Sequence, residues 1–359
     1  MGDKQSDIST TKAPSRENNI NAMRFFAACM VIFGHAEMFI GVTGLPNFFG
    51  TTSPGIAVDI FFVLSGYLIT KSFFRDSNVL RYAIRRVMRI YPALIAATLF
   101  AIVLGLFLTT EGRRVYLTSP ITIDYLWNAL IPYHSNSLPG VFATNPHPTD
   151  INTSLWTLQY ELQCYIATPF IYLILRKLPK GRAVLWAVLA LCFVLNVYDT
   201  ANTNIAWNAN YPRLFFFYIA GALAFEYQAE HRIPIQIAFA GLVVVMLVGF
   251  NNPVAGVIAG SLVIPPIVIS FAFAKNPVFG KVFSKNDYSY GMYVYAFPIQ
   301  QTVASFMGAD FGYWPYLAIC LVFTFIASFA SWHLVEKPCQ KLGKKITARL
   351  RERETSRKE

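Results

Sequence analysis

The sequence predicts an all-α, polytopic integral membrane protein of about ten transmembrane helices, and three observations predict it. Of the 359 residues, 55% are hydrophobic and only 14% are charged, whereas a soluble domain carries about 25% charged residues. The apolar residues fall in stretches of the length needed to cross a hydrocarbon core of roughly 30 Å, about 20 residues of helix. Lys and Arg gather in connections on one side, which is the pattern that membrane insertion imposes.

Taken in order, the polar stretch of residues 1–21 lacks the apolar core of a cleavable leader. The first span, at about 22–42, is therefore expected to be a retained signal anchor. Further spans are expected at about 55–74, 90–109, 155–176, 183–199, 212–228, 234–250, 254–274, 288–307 and 314–334. An even count puts both ends on one side. The basic connections hold Arg75, Arg81, Arg85, Arg86 and Arg89, then Arg176, Lys177, Lys180 and Arg182, then Lys275, Lys281 and Lys285, and they assign that side to the cytosol. The longest opposite connection, about 110–154, is rich in Asn, Pro, Thr and Ser and contains His134 and His147. It is expected to face outward, where it suits a hydroxylated substrate, although an irregular lid without chemistry fits it as well. The expected division is a polar cytosolic segment at 1–21, one membrane domain at 22–338 and a basic cytosolic tail at 339–359.

Composition also narrows the chemistry. The net charge of +11 sits in short runs between apolar segments, so topology rather than nucleic-acid binding accounts for it. Cys29, Cys164, Cys192 and Cys320 lie in apolar segments and Cys339 in the basic tail, so no disulfide framework is expected. No CxxC, HExxH or His-rich tract supplies metal ligands at short spacing, and no metal is expected.

Ionisable side chains inside spans are costly and are read as functional by default. Arg24 and His35 are eleven residues apart, about three helical turns, so they share one face of the first span, separated by roughly 16 Å. Arg24 falls near the cytosolic mouth and His35 in the outer half. Asp59 and Glu161, on spans running the other way, are expected at a similar depth to His35. An imidazole beside carboxylates suits acyl transfer: a hydroxyl loses its proton as it attacks a thioester, and His is the usual general base near neutral pH. His35 is the expected base, with Asp59 or Glu161 to orient it. The plainer alternative is that His35 bonds a backbone carbonyl and the two carboxylates pair with arginines to lock helix packing. On the cytosolic side, Arg81, Arg85, Arg86 and Arg89 recur every three or four residues as one helical stripe. Such a stripe can hold a phosphate-rich donor or serve only as a topology and lipid anchor.

At these residues the sequence resembles the acyltransferase-3 family of membrane O-acyltransferases, which decorate surface polysaccharides and O-antigens. RFFAACMVIFGH, from Arg24 to His35, is similar to the family's Arg and His on the first helix. PGIAVDIFFVLSGYLIT, with Asp59, Ser65 and Gly66, resembles its second-helix signature, and RRVMRIYP, from Arg85 through Arg86, Arg89 and Tyr91, its arginine motif. SLWTLQYELQCY carries the Trp156 and Glu161 match, and SYGMYVYAFPI and VEKP add later ones; Ala296 stands where many members carry His. The resemblance implies a cytosolic acetyl-CoA or other short acyl-CoA co-substrate and catalytic roles for His35 and Arg24. It also implies a glycan or lipid-linked saccharide acceptor and a place in the bacterial inner membrane, among whose lipids a homo-oligomer is compatible. On this reading Arg85, Arg86, Arg89, Tyr91 and Ser65 belong to the donor side, and His35, Arg24, Asp59 and Glu161 to the reaction. A transporter or flippase of a glycan or acyl intermediate also fits buried charges among many spans, as does an inactive scaffold. The confinement of the ionisable cluster to the first four spans favours transfer.

Overall fold

The computed structural model describes residues 18–41, 52–175, 177–178, 180–202, 210–229, 252–274, 285–307 and 312–357, with isolated positions between 234 and 243 and at 279 and 283. These residues form α1 (Ile20–Ile40), α2 (Ser53–Arg75), α3 (Val79–Leu108), α4 (Arg113–Thr118), α5 (Pro120–Leu126), α6 (Trp156–Leu175), α7 (Gly181–Ala201) and α8 (Asn210–Glu226). They continue with α9 (Pro253–Ala272), α10 (Ser289–Met307), α11 (Tyr313–Ser331) and α12 (Lys337–Ser356), the last two joined by a π-helical turn at Trp332–Glu336. Among the described residues the β-type pairing is confined to one isolated bridge, Ser137 with Asp150.

All but one of the expected spans coincide with helices, namely α1 to α3 and α6 to α11; apart from isolated positions, the stretch 234–250 lies outside the described residues. Six segments are long and apolar enough to cross a bilayer on length and composition alone: α1, α2, α3, α7, α9 and the run from α11 through α12. The other three fall short for a physical reason. α8 has only 17 residues, and α6 and α10 carry polar side chains that bond to neighbouring helices instead of facing lipid. Gln300 Nε2 on α10 donates to the carbonyl of Ile32 (2.8 Å), and Thr168 on α6 shares a hydrogen bond with Tyr218 on α8 (2.6 Å). A bilayer supplies no water for such groups, so they are satisfied inside the bundle. The chain is a polytopic integral membrane protein, and its basic tail is a 20-residue helix rather than a loose run.

The tightest crossing joins α2 to α8. A Cβ added at Gly66 would lie 1.9 Å from the carbonyl oxygen of Tyr218, and one at Gly221 would lie 2.0 Å from that of Val63. The two glycines thus let the backbones touch reciprocally, as small residues do at membrane helix interfaces. Near the N-terminal ends of the same two helices, Arg213 Nε and Nη2 donate to both oxygens of Asp59 at 2.9 Å each. Asp59 is 2% exposed, so this fork is an internal ion pair of the kind that membrane burial demands.

α3 starts well before its expected span, in the arginine stripe, where Asn78 Oδ1 caps it by accepting the Arg81 N–H (2.9 Å). At the other end of the bundle, the connection from α3 to α6 is folded. Tyr116, Tyr125, Leu138, Val141, Phe142 and Ile151 build a second apolar cluster there against Ala101 and Ile102. Carboxamides fasten it to α10: Gln301 Nε2 donates to the carbonyls of His147 (2.7 Å) and Asp150 (2.8 Å), and Asn152 Nδ2 to that of Val294 (2.8 Å).

Valine at Gly66 or Gly221 is expected to push α2 from α8 and lower the thermal midpoint of the detergent-solubilised protein, with even alanine costing about 1–3 kcal/mol. Gly112→Ala, where an added Cβ meets only Val115 Cγ2 at 4.0 Å, should leave the midpoint unchanged. Asp59→Ala strands Arg213 and should cost about 3–5 kcal/mol. Equal midpoints across the set would show that this crossing does not hold the bundle.

Candidate active site

The arginine stripe opens on a cavity of about 560 Å³, lined by Arg24 from α1, Ser65 from α2 and Arg85, Arg86 and Arg89 from α3. The arginines are not equivalent. Arg81, outside the cavity, and Arg85 both grip Asp76, each with a 2.7 Å ion pair, and the Arg81 hydrogen bonds hold the Asp76 carboxyl well below the usual carboxylate range despite partial burial. Arg89 pairs with Asp287 and lies 3.7 Å from Glu336; Arg24 reaches the same Asp287 oxygen at 3.4 Å. Asp287, just before α10, is pushed up by burial, but Arg89, Arg24 and the Ser289 hydroxyl and N–H outweigh that and hold its pKa at about 2. Arg86 has no carboxylate partner among the described residues. Its guanidinium lies over the rings of Tyr82 (5.8 Å) and Tyr165 (5.7 Å). The buried Nε atoms of Arg85 and Arg86 have no acceptor.

Arg24 and Ser65 also wall a second, smaller cavity of about 30 Å³, deeper in the bundle, with Glu161, Ser289, Tyr290 and Tyr293. Glu161 accepts from Ser65 Oγ at 3.2 Å and from the Tyr165 hydroxyl. Tyr290 donates to the carbonyl of Ile90 (3.2 Å), and Tyr293 to that of Ser154 (2.8 Å). Tyr91 packs on the edge of the apolar core and lines neither cavity.

His35 lies further along α1, toward the folded connection. Its ring meets the edges of Phe297 (5.7 Å) and Phe39 (6.4 Å), and its buried Nδ1 has no hydrogen-bond partner. Neither carboxylate expected to orient it does so. Asp59 is taken by Arg213, and Glu161 by Ser65 and Tyr165 beside Arg24. The expected convergence of His35, Asp59 and Glu161 is therefore replaced by three separate settings. The plainer reading, a carboxylate paired with an arginine, describes Asp59. For Glu161 it does not, since its partners are hydroxyls.

The titratable neighbour that does approach His35 comes from the connection. His147 packs on the same two rings, 6.0 Å from Phe39 and 6.0 Å from Phe297, with its Nε2 2.7 Å from Asp150 Oδ2. Three residues important to this geometry escaped the reading of the sequence: Arg213, Asp287 and Asp150. Arg213 carried a signal, being a lone arginine inside an apolar stretch, and it contradicts the expectation that the later spans hold no counterpart charge. Asp287 carried a weaker one, as an acid at the start of the SYGMYVYAFPI helix. Asp150 carried only its three-residue spacing from His147.

The acyltransferase domain of the acyltransferase-3 family matches residues 17–333. A nodulation protein 10 of Rhizobium leguminosarum bv. viciae is 28% identical over 375 residues, covering 95% of this chain and 98% of its own length. An O-acetyl transferase of Shigella phage Sf6 is 29% identical over 334 residues, covering 90% of this chain and 96% of its own. A putative peptidoglycan O-acetyltransferase, YrhL, of Bacillus subtilis is 26% identical across 90% of this chain and 55% of its own length. No solved structure matches. The half-buried arginine, histidine and glutamate arrayed along α1 and α6 thus sit within a domain of known type: the chain belongs to the acyltransferase-3 family and is an integral-membrane O-acyltransferase.

Proposed function

We propose that the protein moves a short acyl group, acetyl in the first instance, from cytosolic acyl-CoA to a sugar hydroxyl of a surface or exported glycan. On this reading it lies in the bacterial inner membrane with both termini in the cytosol. The observation that carries it is the basic cavity, whose Arg85 and Arg86 Nε donors lack acceptors and which shares Arg24 and Ser65 with the inner cavity. The names of the phage and Bacillus relatives support an O-acetyl product, and the latter a glycan acceptor.

In the proposed mechanism the donor's phosphates rest on Arg85 and Arg86 through charge-assisted hydrogen bonds, and its thioester arm passes between Arg24 and Ser65. Arg89, committed to Asp287 and Glu336, adds positive potential and braces the wall rather than clasping phosphate itself. The acceptor enters from the folded connection, and His35 takes the proton of its hydroxyl as the oxygen attacks the thioester carbonyl carbon. The tetrahedral intermediate collapses, the C–S bond breaks, and the departing thiolate takes the proton back from the imidazolium, leaving a sugar ester and free coenzyme A. Asp59 holds α2 against α8, and Glu161 positions Ser65 and Tyr165 where the arm would pass.

Membranes bearing the protein should transfer label from radioactive acetyl-CoA into alkali-labile sugar esters. His35→Ala should reduce that label by about 10²–10⁴-fold at unchanged yield and thermal midpoint; undiminished label in that variant would overturn His35 as the base. Arg86→Gln should raise KM for the donor at least tenfold with little change in folding. Arg89→Gln should instead lower the yield of folded protein, because it leaves Glu336 buried without its neutralising cation and Asp287 with Arg24 alone. Identical behaviour of the two arginine variants would refute that division of labour.

A further inference from the structure

The basic cavity is not built by the matched domain alone. That domain ends at residue 333, and α12 lies beyond it, yet Lys337, Gln340, Lys341 and Lys344 all line the cavity. Their spacing of three, one and three residues puts them on one helical face. The carboxylate among the lining residues, Asp287, is already committed to Arg89 and Arg24. Gln340 Nε2 is buried and has no acceptor, like the Nε atoms of Arg85 and Arg86 in the same cavity. All three unpartnered atoms are N–H donors, so what satisfies them must supply acceptors, and the lysines and arginines that line the same cavity favour one that is negatively charged.

α12 is also held in place before any ligand arrives. In its second turn Gly343 lies so close to α3 that an added Cβ would meet Met88 Cγ at 3.0 Å. Near its end Glu354 accepts from Asn78 Nδ2 (3.0 Å) and pairs with Arg81. At its start Lys337 Nζ donates to Asn286 Oδ1 (3.2 Å). A pinned helix presents its lysines at little further entropic cost, which is what preorganised recognition requires.

We propose that α12 forms the phosphate-recognising wall of the donor site. Lys341, Lys344 and Gln340 take the phosphorylated adenosine end of coenzyme A, opposite Arg85 and Arg86, while the thioester end points to Arg24 and Ser65. This rests on the acyl-CoA reading above and extends it to residues outside the family domain. A single lipid phosphate offers similar chemistry, and the test separates the two sources.

The full-length protein in phosphatidylcholine nanodiscs is titrated calorimetrically with coenzyme A, dephospho-coenzyme A and pantetheine. Coenzyme A is expected to bind the wild type, and the dephospho form, which lacks one phosphate, to bind more weakly. The double variant K341Q/K344Q should weaken coenzyme A at least tenfold and raise KM for acyl-CoA with kcat nearly unchanged. K341R/K344R should restore both. Lys345, which does not line the cavity, provides the control K345Q, expected to match the wild type. If the wild type binds no coenzyme A, the donor reading itself fails. If it binds but K341Q/K344Q binds equally well, α12 is not part of the site. Loss of coenzyme A affinity on adding phosphatidylglycerol, with the double variant still matching the wild type, would likewise overturn the proposal, since the lysines would then serve neither ligand selectively.

Discussion

Two missing side chains set the geometry of this bundle. Because Gly66 and Gly221 carry no Cβ, α2 and α8 meet backbone to backbone, and the register so fixed brings Arg213 to both oxygens of Asp59. A helix pinned this way along its length cannot slide by a turn without burying an unpaired charge, which a bilayer makes expensive. α2 in turn holds Ser65 against Glu161 on α6 and beside Arg24 on α1. The walls of both cavities thus depend on a contact on the opposite side of α2.

The charges at the basic end are sorted by the same economy. Of the arginines in the stripe, Arg81 and Arg85 share Asp76, and Arg89 shares Asp287 with Arg24. These pairs neutralise the positive field locally and tie the α2–α3 connection, α1, α3 and α10 together. Arg86 remains stacked on two tyrosines with no carboxylate among the described residues, so within the stripe the unspent capacity for anions lies at Arg86 and the spare N–H groups rather than evenly along it.

Much of this was legible in the sequence, and the rest was not for reasons that can be stated. Length and apolarity located α1 to α3 and α6 to α11 to within a few residues, except for the start of α3, because a helix in lipid must be a long uninterrupted apolar run and the arginine turns before that run are not apolar. The three- and four-residue spacing of the arginines placed them on one face. Spacing within a helix gives direction but not partner, however. The carboxylate that takes Arg89 lies 198 residues away, and the arginine that takes Asp59 lies 154 residues away. Depth estimates put Asp59, Glu161 and His35 at one level; rotation about each helix axis, which depth does not constrain, sends Asp59 to Arg213 on α8 and Glu161 to Ser65 on α2. The connection before α6 read as an irregular polar stretch because its fold depends on long-range carboxamide bonds from Gln301, and no periodicity announces those.

The junction between α11 and α12 carries one more consequence. The helix runs from Tyr313 to Ser356 as a single rod of 44 residues, interrupted only by the π-helical turn at Trp332–Glu336. At 1.5 Å per residue, the 20 residues of α12 extend about 30 Å beyond that turn. A tilt of about 5° at its base sweeps the far end through roughly 2.6 Å, nearly the length of a hydrogen bond. A tilt at the π turn would therefore be felt most at Glu354, and the packing of Gly343 on Met88 together with the Glu354–Arg81 pair is what resists it.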